Sequence, residues 1–176
     1  MALFNIKLTG LGGFIGRTRR AKSRIPFAIS SAFKAAKPFA KKTFTENALK
    51  IYAVKKSAFS RFLYARSAKN SLTIEATTFG LSVGKYFPVR PNKKNTTGNR
   101  QAAMHYAIFP NGWVYQQRGF MWKGLLYYRK GTTSLPVKKQ TGPSVFRMSN
   151  AVINESESAI VRFCQDNIDA KIIRLL

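Results

Sequence analysis

Apolar residues recur at intervals of three and four from Ile29 through Phe33, Ala36, Ala40 and Phe44, one stripe of an amphipathic helix. Its start is expected near Ser23, a residue type that caps helices, with Pro26 in the first turn, where an N–H has no intrahelical partner. Pro38 removes a backbone donor inside the stripe and should kink the helix or split it in two. A short helical stretch follows, roughly Tyr52 to Phe59. The period then shortens to two. Phe62 to Arg66 and Leu72 to Thr77 read as strands around an Ala68-Lys69-Asn70 turn.

Residues 84–101 are polar and basic and read as a loop. In AIFPNGWVYQ, Asn111-Gly112 between aromatic-rich runs predicts a tight hairpin turn with positive φ. Phe120 to Tyr128 reads as one further strand, with Phe120, Trp122, Leu126 and Tyr128 on one face. From Ser149 or Asn150 onward, Ile153, Ile160, Cys164, Ile168 and Ile172 form the stripe of a closing helix. Glu155 and Glu157 in its first turns and Lys171 and Arg174 in its last suit the helix dipole. The order predicts an α+β fold: a kinked basic N-terminal helix, an antiparallel sheet with hairpins, and a long C-terminal helix packed on the sheet. A length of 176 residues fits one such domain over 26–176, preceded by an arm over 1–25.

Charge changes this picture most. Lysine and arginine number 31 against 6 acids, a net of +25. Four of those acids lie in the last 26 residues, so residues 1–150 carry 28 basic and two acidic side chains. A field this one-sided repels its own copies and calls for a polyanion or an acidic partner. On the arm, four glycines (Gly10, Gly12, Gly13, Gly16) precede a basic run that includes Arg17, Arg19 and Arg20. Two readings stand there: a solvated terminus, or an arm that orders on a partner. Lys34, Lys37 and Lys41 share one helical face with no acid four residues away to neutralise them. Lys93 and Lys94 add charge in the central loop. Contacts to phosphate from such groups are independent of base sequence and weaken with salt.

Chemistry is harder to find. A single histidine, His105, and a single cysteine, Cys164, leave no ligand set for a metal and no disulfide framework. Cys164 falls on the apolar stripe and reads as a packed small hydrophobe. Phosphate-binding glycine loops are missing, and the sequence points to no enzyme and no cofactor. No apolar run is long enough to span a bilayer. The N-terminal charges follow the weakly apolar stretch, the wrong order for a secretory signal, although an acid-free, Arg-rich start also suits a mitochondrial transit peptide. QRGFMWKGLLYY partly resembles the core of RNA-recognition motifs, but the match fails at the second glycine and its aromatic, so these rings read as core.

SLPVKKQTGPSVFRMSN, from Ser134 to Asn150, resembles the signature of the minor tail protein Z, or tail-completion, family of tailed bacteriophages. The matching positions are Leu135, Pro136, Gly142, Pro143, Ser144 and Val145, just before the closing helix. The basic helix from Phe27 to Leu49, the strand in FLYARSAKNSLTIEA, the FPNG turn and Arg118-Gly119 add a likeness of pattern over residues 27–176. The first 25 residues and the polar loop Pro88 to Arg100 depart from it. The resemblance implies a structural virion protein at the head-proximal end of the tail. It further implies a homo-oligomeric ring, a hexamer, beside tail terminator, tail tube or neck and connector proteins, assembled in the host cytoplasm. An RNA-binding ribosomal-type protein is the alternative that size and charge also suit. Independently of any family, Pro143 disfavours helix at Gly142, so Gly142-Pro143 should be a rigid corner between sheet and helix.

Overall fold

The structure, a computed structural model, describes residues 2–6, 19–68, 71–91, 103–131 and 135–173. The helical stripe becomes α1 (Arg19–Ile51), and the closing helix becomes α3 (Val145–Ala151) and α4 (Ile153–Ile173). Between them lie α2 (Lys56–Arg61) and the strands β2 (Leu63–Ser67), β3 (Leu72–Ala76), β4 (Gly80–Ser82) and β5 (Val89–Pro91). They are followed by β6 (Met104–Phe109), β7 (Gly112–Gln116), β8 (Gly119–Trp122), β9 (Leu125–Arg129), β10 (Val137–Lys139) and β11 (Thr141–Ser144). One more strand, β1 (Ala2–Ile6), stands at the N-terminus. The fold is α+β. Its strands form four small sheets rather than one, ordered β1-β3-β2, β10-β9-β8, β11-β4 and β5-β6-β7, all antiparallel within themselves.

α1 buries a ridge with spacing four: Ala28, Ala32, Ala36, Ala40, Phe44 and Ala48. Such i, i+4 rows are what helices interlock, and alanines let the partner backbone come close. The partner is α4, whose Ile160, Cys164 and Ile168 are buried in turn. Phe39 stacks flat on Phe163 with ring centroids 4.1 Å apart, and the Asn47 amide donates to the Ser156 hydroxyl at 3.2 Å. The C-terminal helix therefore lays its stripe mainly on α1, while α3 and α1 meet β3. Phe33, Phe59, Leu63, Leu72, Ile74, Phe87 and Met148 complete one contiguous core.

Several boundaries differ from the sequence reading. α1 begins at Arg19, not near Ser23, and Arg19, Arg20, Ala21 and Lys22 are all residue types that favour helix. Pro26 thus lies inside it, and Pro38 does not split it. Pro38 is exposed, and so is Lys34, whose carbonyl loses its intrahelical donor at the solvent side, where water can replace it. The stretch read as an arm supplies β1, paired with β3 from Ala2↔Ala76 to Ile6↔Leu72, and the opening turns of α1. Tyr52 to Lys55 is not helical; α2 begins at Lys56. Part of the expected central loop is strand, since Val89–Pro91 pairs with β6. The closing helix starts at Val145 because the Ser144 hydroxyl caps it, accepting from the Arg147 N–H at 3.2 Å.

Turn chemistry also moves. β6 and β7 form the expected hairpin, with Phe109 opposite Gly112, so its two-residue turn is Pro110-Asn111 and not Asn111-Gly112. Neither Asn111 nor Gly112 has positive φ; a proline at the first turn position fixes φ negative there. Positive φ appears instead at Lys123 (48°) and Gly124 (74°), which turn β8 into β9 with Trp122 opposite Leu125. Phe120 to Tyr128 is therefore a hairpin rather than a strand. Phe120 and Trp122 share their face with Leu125 and Tyr127, leaving Leu126 and Tyr128 on the other.

Candidate polyanion-binding surface

The α1 lysines meet a sheet. α1 packs on β2, and in the trough between them Lys37, Pro38 and Lys41 face Tyr64, Ala65 and Arg66 around a groove of about 400 Å³. Lys34 lies one turn further up the same helical face, fully in solvent. Across the Pro38–Lys41 ridge a second hollow, about 260 Å³, is lined by Lys42, Thr45, Lys56 and Ser60. The Thr45 hydroxyl donates to the Lys41 carbonyl at 2.6 Å and so turns inward, leaving lysines to define the rim. α2 extends the basic surface with the exposed Lys55, Lys56 and Arg61.

Among the described residues two carboxylates answer this charge. Glu75, buried on β3, holds Arg66 Nε at 3.3 Å. Glu46 reaches Lys42 at 3.9 Å along α1, a solvated pair of small energetic weight. Among the described residues Lys34, Lys37, Lys41 and Lys56 have no carboxylate within ion-pair distance. Three cations therefore surround a shallow groove, one of them neutralised from behind by Glu75.

Lys34, Lys37 and Lys41 do share one surface, as their spacing predicts, and β2 adds Arg66, which sequence reasoning missed. Its signal was available only as a basic residue on the strand after α2. Arg19 and Arg20 open α1. Arg17, Lys93 and Lys94 lie outside the described residues.

Gly142 and Pro143 lie in β11, which runs straight into α3 through Ser144, and Val145 is fully buried. A Cβ at Gly142 would stand 2.6 Å from Cε2 of the buried Phe87 ring, so this position admits only glycine without a shift of the core. Phe109 at the tip of the β6–β7 hairpin, Tyr52, Gly142, Pro143 and Arg147 together line a hollow of about 600 Å³, with Tyr52 stacked on Phe109 at 5.5 Å. The FPNG turn and the Gly-Pro corner, separate in sequence, thus meet in space. Leu135 and Pro136 do not join them; they precede β10, joined by a cis peptide bond, with Leu135 exposed.

His105 is half-buried beside the Tyr115 ring at 5.2 Å, and its buried Nδ1 has no hydrogen-bond partner among the described residues. Burial pushes the Cys164 thiol up to about 11, keeping it protonated and unreactive at neutral pH. Among the described residues no cluster of three or more metal-ligating side chains occurs, and no helix is long and apolar enough to cross a membrane.

The rings read as core are not all core. Leu126 is buried, but Trp122 is 55 % exposed and Met121, on the opposite face, is exposed as well. Among the described residues no second layer covers the outer face of β8 and β9, which a pattern of alternating aromatics could not reveal. Set against known families, curated proteins and solved structures, the chain has no match.

Proposed function

We propose that this chain is a structural, non-enzymatic assembly protein of a tailed-phage virion, a tail-completion protein at the head-proximal end of the tail. It docks onto negatively charged neighbours, protein or DNA, through the basic α1–β2–α2 surface. The observation that carries the reading is the convergence of Lys37, Lys41 and Arg66 on one groove in which the lysines meet no carboxylate. The Gly-Pro-Ser-Val corner supports the tail assignment: it fixes the angle between sheet and helix and packs beside the FPNG hairpin. Such a protein works as repeated copies in a closed ring, a hexamer by the resemblance, next to terminator, tube or neck proteins.

The test is charge reversal. Lys37→Glu with Lys41→Glu leaves the far-ultraviolet circular dichroism and melting unchanged, since both side chains sit at the rim. Binding to duplex DNA or heparin weakens, with a salt slope shallower by about 0.9 for each phosphate no longer neutralised. In assembly extracts these variants fail to join heads to tails. Wild-type salt dependence together with wild-type assembly would overturn the proposal, and binding abolished with assembly intact would remove the tail role alone.

A further inference from the structure

Between Glu75 and Glu155 the chain carries no acidic residue at all, but twelve lysines and arginines and both tryptophans. Each tryptophan is surface-exposed and each has a cation over its ring. Arg90 lies 4.1 Å from the Trp113 centroid and Lys123 lies 5.0 Å from that of Trp122.

The second of these sits on the more elaborate surface. On the outer face of the β8–β9–β10 sheet, Phe120 lies opposite Tyr127, which lies opposite Lys139, a ring, ring and cation in one row across three strands. Trp122 stands edge-on to Tyr127 at 5.6 Å, and Phe120 stacks against Tyr127 at 6.1 Å. Arg129 reaches diagonally over Phe120 at 5.3 Å, and its buried Nε has no hydrogen-bond acceptor among the described residues, leaving the guanidinium unneutralised. Lys138 presses on Lys130 from the neighbouring strand. It lowers the pKa of Lys130, by hydrogen bonding first and by charge second.

We propose that this face is a stacking platform for single-stranded nucleic acid, with Phe120, Trp122 and Tyr127 receiving bases and Lys123, Arg129 and Lys139 receiving phosphates. The chemistry selects the occupant. Exposed rings alone would suit any apolar partner, and cations alone any polyanion. Rings interleaved with unneutralised cations match a chain that alternates planar bases with phosphates. A second copy of this face is excluded as the occupant, because it offers no acid and would repel. Duplex nucleic acid hides its base faces in the stack and so gains nothing from the rings. The platform is separate from the α1–β2–α2 surface and does not depend on the tail assignment.

Fluorescence anisotropy of the full-length chain tests this, using labelled oligo-dT and oligo-rU, an abasic oligonucleotide of equal charge, and a duplex of equal length. Wild-type protein should bind the oligo-dT or oligo-rU more tightly than the abasic strand. Trp122→Leu, at a solvent-exposed position, should weaken single-strand binding about tenfold. It should leave abasic and duplex binding unchanged, while Lys123→Gln with Lys139→Gln weakens all of them. Lys37→Glu with Lys41→Glu should retain the preference for bases over abasic strand. Equal affinity for the abasic and base-bearing strands, or wild-type binding by Trp122→Leu, would overturn the platform, as would no single-strand binding at all.

Discussion

Two regions of this molecule use aromatic rings in opposite ways. In the body formed by α1 to α4 and β3, Phe33, Phe44 and Phe59 are fully enclosed, and Phe39 is half-covered against Phe163. In the β5–β10 region Trp113, Tyr115 and Trp122 remain exposed, and each tryptophan has a cation over its ring. The residue types are alike. What differs is the second layer: α1 covers both α4 and the β1-β3-β2 sheet, whereas among the described residues no helix packs closely on β8–β9–β10. An aromatic contributes to stability when such a layer excludes water from it, and otherwise it stays available to a partner.

Substitutions can break that contrast. The largest effect is expected for Phe44→Ala, which empties a fully enclosed site and should cost about 3–5 kcal/mol in urea unfolding. A loss there no greater than that of Trp122→Leu, which should stay within about 0.5 kcal/mol, would erase the distinction between the regions. Gly142→Val should cost about 1–3 kcal/mol by driving a side chain into Phe87, and wild-type stability would show that the corner is not held by this contact.

A smaller effect concerns pH. Burial raises the Cys164 thiol from 9.0 to about 11, so the folded state favours the protonated form. That contribution is complete below pH 9 and is lost as pH rises through about 11. The urea midpoint of the wild type should therefore fall across this window more than that of Cys164→Ala. Parallel curves would place the thiol in contact with water.

The helical parts of the fold were legible because their signal is local. Ile29, Phe33, Ala36, Ala40 and Phe44 needed only a period of 3.6, and all but the half-buried Ile29 are enclosed. The β2–β3 pairing was legible too, as Tyr64↔Glu75 and Arg66↔Thr73 lie symmetrically about the turn that alternation placed. The β8–β9 hairpin was not, since a count of every second residue passes through Lys123-Gly124 and assigns Leu126 and Tyr128 to the wrong face. Nor could the pattern divide the strands into four sheets, a matter of which edges pair over long separations. Of the basic groove, the three α1 lysines followed from helical spacing. Arg66 joined them only through the packing of α1 on β2.

The pairing of Ala2–Ile6 with Leu72–Ala76 has a consequence for biosynthesis. β1 leaves the ribosome roughly seventy residues ahead of the strand it pairs with, on the order of several seconds at ordinary elongation rates. Through that interval its backbone donors and acceptors are satisfied by water alone. The β1 edge of the β1-β3-β2 sheet is thus made well before it can be zipped shut.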